Sequence, residues 1–269
     1  MPASRPACLP SPCPARDTST MLSPLATGVC AGLGVAAGAG LAAGGYAYAA
    51  MWPGSRLFGQ ALVAPRRPGE LALTFDDGPN PTATPQLLDL LARHGVQATF
   101  FLLGSRAQAL PDLVRRMLSE GHLVGSHSWN HLNLAYTTAV QLRAEIVRGK
   151  QAIEAIVGAP VRFFRPPFGA RRPLVLRVAR GLGMTPVLWN ALTSDWKEPF
   201  PERIATRLQR KIDRLQRRGF AANIVLHDGG HLDPAANRAP SVAAAEQLIA
   251  RYNSTHSFVR LDAWGACAS

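Results

Sequence analysis

The feature that most constrains this chain is a rhythm that begins at Glu70. Short apolar runs at Leu71–Phe75, Ala98–Leu103, Leu123–Ser126, Arg162–Arg165, Pro186–Trp189, Asn223–Leu226 and Phe258–Leu261 alternate with longer amphipathic stretches. Those stretches lie near Pro85–His94, Pro111–Glu120, Thr138–Val157, Pro173–Gly181, Pro201–Arg218 and Ser241–Tyr252. The short runs have the length of strands, and the long ones carry apolar residues three and four apart, as helices do. Proline opens several helical stretches and glycine closes several, the asymmetry expected at helix ends. Strands joined through helices lie parallel, because a crossover returns the chain to the same end of the sheet. The reading is an α/β fold with a parallel sheet, open or closed into a barrel, in one domain.

In parallel sheets, ligand-handling residues gather where the strands end. The unusual polar residues of this chain fall there one after another. Asp76 and Asp77 follow the first run, His127 the third, and Arg165 closes the fourth. Asp195 comes shortly after the fifth, and His227 follows the sixth. Polar residues scattered over a surface would not share one end of the sheet.

LALTFDDGPNP, Leu71 to Pro81, sets two adjacent carboxylates directly after a strand. Like charges side by side repel, and a plain surface turn is one explanation. SHSWNH offers another: His127 and His131, four apart, can turn both imidazoles toward one point. Two imidazoles and a carboxylate from another strand end suit zinc, or cobalt or nickel, with a position left open for water. One aspartate of the pair then ligates the cation while the other stays free as a general base. FFRPPFG holds Arg165 in a rigid turn, where a buried guanidinium needs an anion and Asp76 is the attractive one. LTSDW offers Asp195 beside Trp196, a helix cap or a polar group of the site. IVLHDGG puts His227 at a strand end, as a structural histidine or a general acid.

Together TFDDGP, the HxxxH pair, RPPFG, the Asp-Trp element and LHD resemble the five motifs of the NodB-homology polysaccharide deacetylases, carbohydrate esterase family 4. They occur in order, over about Glu70 to Ala263. The resemblance implies a deformed (β/α) barrel with fewer strands than eight, and a domain spanning residues 70–265. It implies Asp76 as catalytic base, Asp77, His127 and His131 as metal ligands, and Arg165 holding Asp76. Asp195 would orient His227, the general acid, and the Phe168 N–H would polarise the substrate carbonyl. Trp196, Val225 and Leu226 would line the acetyl pocket. The activity implied is removal of N-acetyl groups from a peptidoglycan or chitin-like polysaccharide by a zinc-type enzyme. The alternatives are an O-acetyl esterase on acetylated xylan or another glycan, and a glycan-binding protein without activity. Phe168 stands where tyrosine is common, Leu192 where many members have aspartate, and Val225 where leucine helps line the pocket.

Four cysteines, Cys8, Cys13, Cys30 and Cys267, leave the α/β portion without a pair, so a metal there has to use His, Asp or Glu. Residues 1–24 are Pro- and Ser-rich and read as disordered, with Met21 as a second candidate start. Leu25 to Trp52 holds no charged residue, is long enough to span a bilayer, and contains Ala47-Tyr48-Ala49, the pattern of a signal-peptidase site. The expectation is a membrane anchor or signal segment, a linker over 53–69, and an exported catalytic domain that is a monomer.

The formal charge of +12 comes almost wholly from arginine and predicts attraction to anionic surfaces. Arg203, Arg207, Arg210, Arg214 and Arg217 form one stripe opposite Ile204, Leu208, Ile212 and Leu215. That stripe reads as a solvated helix face, with docking on anionic wall polymer or lipid headgroups as the alternative. No nucleic-acid partner is expected.

Overall fold

Among the described residues, eight strands, all paired in parallel, make the sheet: β1 Glu70–Gly78, β2 Thr99–Leu102, β3 Leu123–Ser126, β4 Phe163–Phe164, β5 Thr185–Pro186, β6 Ala191–Leu192, β7 Ala222–His227 and β8 Ser257–Phe258. The structure, a computed structural model, describes residues 40–50 and 55–265. Seven strands follow the path β5-β4-β3-β2-β1-β7-β6, and β8 joins the foot of β1. The count reaches eight, above the expected number, only through the two-residue β8.

The order of the strands forces the sheet to curl. β5 and β6 stand at opposite ends of the path, yet residues 187–190 alone connect them. A flat sheet of that width would measure about 29 Å at ~4.8 Å per strand spacing. The connection reaches no more than about 18 Å fully extended. The ends must therefore bend toward each other, which gives the deformed barrel. Leu62 lies at the gap: its N–H donates to Pro186 O, and its carbonyl accepts from Leu188 N–H, both at 2.8 Å.

Helices cover the outside: α1 Ala83–His94, α2 Gly104–Ala109, α3 Pro111–Ser119, α4 Ala139–Val157, α5 Pro173–Gly181, α6 Pro201–Arg217 and α7 Ala239–Tyr252. Local chemistry sets their starts. The Asn80 side-chain Oδ1 accepts from Thr82 and Ala83 N–H before α1, and Thr138 with Gln141 forms a reciprocal capping box on α4. Strand alternation then sorts the core. Leu71, Leu73 and Phe75 of β1 face the helices and join Leu87, Leu91 and Leu248. Ala72 faces inward, to Phe101, Phe163, Val187 and Leu261.

The structure departs from the expected elements in several places, and β6 at Ala191–Leu192 is a strand where none was expected. The run Pro186–Trp189 is not one strand; β5 ends at Pro186, and Val187 bridges to Leu62 instead. The Phe258–Leu261 run gives the short β8, followed by a 3-10 turn at Leu261–Trp264. α2 was not expected, because GSRAQA has no apolar periodicity. Of the expected anchor at 25–52, only residues 40–50 are described, and they are helical; the segment at 1–24 lies outside the described residues. Among the described residues no helix is long and apolar enough to cross a membrane.

Candidate active site

The inner face of β1 reads Ala72, Thr74, Asp76, so alternation carries Asp76 to the mouth of the barrel. Asp77 should then point the opposite way. It does not, because its φ is +69° and the pairing of β1 with β2 slips between Asp76 and Gly78. Both carboxylates thereby reach one cleft. Gly229 backs this bend so closely that a Cβ there would collide with the Asp77 carbonyl.

The two imidazoles arrive on the loop after β3, a turn rather than a helix, with φ of +73° at Ser128 and +63° at His131. That loop is anchored from two sides and braced within itself. Gly104 N–H donates to Ser128 O at 2.9 Å, Asn130 N–H to the buried Glu145 carboxylate at 2.9 Å, and His131 N–H to Ser128 Oγ at 3.2 Å. His127 Nδ1 lies 2.7 Å from Arg165 O. A carbonyl only accepts, so Nδ1 carries a proton, and the tautomer this selects for a neutral ring leaves the lone pair on Nε2.

That lone pair faces Asp77. Asp77 Oδ1 is 3.5 Å from His127 Nε2 and 3.2 Å from His131 Nε2, yet it is buried without a hydrogen bond. Burial, then the neighbouring imidazoles, push the His131 pKa far below the usual histidine value, so its ring is neutral. With each ring's proton on Nδ1, both Nε2 lone pairs and Asp77 Oδ1 face one point, an arrangement that fits a cation. Asp77, His127 and His131 are grouped with ligand atoms mutually within 4.8 Å. Two nitrogens and a carboxylate are the donor set of a zinc-type ion with an open position.

Arg165 lies wholly inside the barrel. It donates to Asp76 Oδ1 and Thr74 Oγ1, both at 2.7 Å, and to Asn223 Oδ1 at 3.2 Å, over the face of Phe101. Burial draws its pKa down and the Asp76 charge opposes that. At the end of β7, His227 is gripped twice by Asp195: N–H to Oδ2 and Nδ1–H to Oδ1, each at 2.9 Å. Ser241 Oγ donates to the same carboxylate at 2.7 Å. Burial works against the imidazolium, but the charge and hydrogen bond of Asp195, with Asp77 and Asp76 beyond, raise the His227 pKa to about 9.

These groups meet in a cleft of about 480 Å³, walled by Phe168, Trp189, Leu192, Trp196 and Val225. Phe168 sits edge-on to His131, and Trp196 edge-on to His227, with centroids 4.5 and 4.9 Å apart. The φ of Phe168 is +58°, and its N–H has no acceptor among the described residues. Leu226 is not part of the cleft. Alternation along β7 turns Val225 and His227 inward and sends Leu226 into the outer core with Ala222 and Ile224.

The loop Gly229–Pro240, a candidate groove wall in the sequence, does line the cleft, but its His231 was not singled out beside the ligand cluster. Its ring stacks on His131 at 4.5 Å, and its Nδ1 is 3.9 Å from Asp77 Oδ2. It follows His227 by four residues, the spacing of His127 and His131, and that echo was the available signal. Arg106 of the unexpected α2 was missed too; it donates to the Asp77 and Gly230 carbonyls and ties the two halves of the rim together.

Residues 64–187 match the model of the polysaccharide deacetylase family. A peptidoglycan-N-acetylglucosamine deacetylase of Bacillus cereus is 38% identical over 182 residues, 66% of this chain and 79% of that protein. The chain belongs to the polysaccharide deacetylase family. A chitooligosaccharide deacetylase of Azorhizobium caulinodans is 32% identical and covers 72% of this deacetylase and 92% of its own length. The crystal structure of the Bc1960 peptidoglycan N-acetylglucosamine deacetylase, bound to an N-oxidanyl-benzamide, superposes with a TM-score of 0.67 at 32% identity. It covers 76% of this chain and 91% of that one. The curled sheet of this deacetylase is thus the deformed (β/α) barrel of carbohydrate esterase family 4.

Proposed function

We propose that this deacetylase removes N-acetyl groups from N-acetylglucosamine-type residues of a peptidoglycan or chitin-like polysaccharide and releases acetate. The observation that carries the reading is the pairing of a cluster of two imidazoles and one carboxylate with a base and a protonated histidine in one cleft. Asp77, His127 and His131 would hold a divalent cation, zinc first, with cobalt or nickel as substitutes. Such a cation supplies Lewis acidity toward a water and toward the amide carbonyl. The named substrates of the similar deacetylases support an N-acetylated glycan, and an exported domain would meet it outside the cell.

The chain's own groups then divide the proton work. Asp76, oriented by Arg165, takes the proton of the attacking water. The Phe168 N–H donates to the carbonyl oxygen as it becomes negative. His227, kept protonated by Asp195, gives a proton to the departing amine nitrogen. Trp196 and Val225 wall the space for the acetyl methyl. The balance is amide plus water to acetate plus amine.

Acetate release, measured by mass spectrometry of products with zinc supplied, should occur with peptidoglycan or N-acetylglucosamine oligomers and not with acetylated xylan. Asp76→Asn should abolish release while zinc stays bound. Full activity in that variant would sink the assignment of the base, and release from xylan alone would sink the substrate class.

A further inference from the structure

A second concavity lies behind the wall of the active-site cleft. It measures about 350 Å³ and is lined by Thr193, Ser194, Arg207, Arg210, Lys211 and Arg214. The two hollows share one strip of chain. Leu192 and Trp196 face the active-site cleft, while Thr193 and Ser194 between them face this groove.

The groove is built for an anion. Among the described residues, Arg210, Lys211 and Arg214 have no carboxylate partner within ion-pair distance; Glu198 serves Arg203 at 3.8 Å and Arg207 at 3.1 Å. Asp213, the acid nearest them in sequence, accepts from Tyr252 Oη at 2.7 Å. Lys211 Nζ is turned to the Leu192 carbonyl, and Thr193, itself 8% exposed, has its Oγ1 buried without a hydrogen-bond partner. Packed cations with a spare hydroxyl gain from phosphate oxygens, which accept several charge-assisted hydrogen bonds at once.

We propose that this groove binds the phosphodiester groups of an anionic polymer, and that it does so independently of the deacetylase reaction. The shape favours a linear chain over a lipid surface. The cations run along α6 from Arg203 to Arg217, about 21 Å at ~1.5 Å per residue. A membrane-lying helix needs an exposed apolar face to insert. The apolar face of α6, Ile204, Leu208 and Ile212, is fully buried in the core. A polymer held here would lie against the back of the strip that carries Asp195.

The test is fluorescence anisotropy with a labelled glycerol-phosphate oligomer, using chitotetraose as the neutral probe. Flotation with phosphatidylglycerol vesicles tests the lipid source. The expected result is salt-sensitive oligomer binding, weakened at least about tenfold by Arg207→Ala/Arg210→Ala/Arg214→Ala and restored by lysine at the same positions. The triple Arg93→Ala/Arg115→Ala/Arg251→Ala removes equal charge elsewhere and should keep wild-type affinity. Equal weakening by both triples would reduce the effect to net charge and overturn the proposal. Vesicle binding without oligomer binding would overturn it in favour of a lipid surface.

Discussion

Asp195 accepts three hydrogen bonds, two of them from His227 and one from Ser241. This fixes both the place of the imidazole and its proton. The His227 pKa is raised above the ordinary histidine value to about 9, so the ring is charged at neutral pH and loses its proton as pH rises through that value. If His227 is the acid, kcat/KM should fall on the alkaline side near pH 9. In Asp195→Asn the raising charge is gone while burial remains, and the alkaline limb should move to lower pH. A limb that stays in place would remove His227 from the role. Arg165 offers a stability test at the same scale. It is fully buried against Asp76, and removing one partner of a buried pair strands the other charge. Arg165→Met should cost about 3–5 kcal/mol in urea unfolding. A loss below about 1 kcal/mol would show that Asp76 finds another partner or a proton.

β7 shows how one strand serves two compartments. Val225 faces the cleft and Leu226 the outer core, a division that follows from the two-residue period of a strand. Leu226→Ala should therefore lower stability by about 2–5 kcal/mol and leave KM near wild type. Val225→Ala should instead raise KM for the acetylated glycan. A reversed pattern, seen by urea melts beside steady-state kinetics, would mean the strand is turned over. Alternation was readable in the chain, and so were most helices, since proline, glycine and apolar spacing are local signals. Pro186–Trp189 misled because its hydrogen bonds go to Leu62, a partner with no trace in local pattern. α2 was invisible for a related reason: its place is fixed by contacts to Ser128 and Trp129, not by an apolar stripe of its own. The site was legible as residue types at strand ends. Its convergence was not, because Asp77 reaches the cleft through a left-handed φ and a slipped register that no motif spells out.

Across the whole molecule, the candidate cation site spans strands that are not neighbours. Asp77 ends β1, the imidazoles follow β3, and β2 lies between them. A cation held there would tie the two loops together and favour the folded chain, since the unfolded chain does not present the three ligands at one point. Mass action gives the size: about 2.7 kcal/mol at a free-ion concentration of ~100 Kd. For a domain of this size that is a Tm increase of about 5–10 °C. A zinc titration followed by thermal melting should show the increase, and a chelator should reverse it. Asp76→Asn should keep the increase while losing activity, because Asp76 is bound to Arg165 and not to the ligand cluster. His127→Ala/His131→Ala should lose both. An unchanged Tm in the wild type, or an equal increase in the double variant, would place the cation elsewhere or nowhere, and Asp77 would need another reason for its buried, unpartnered oxygen.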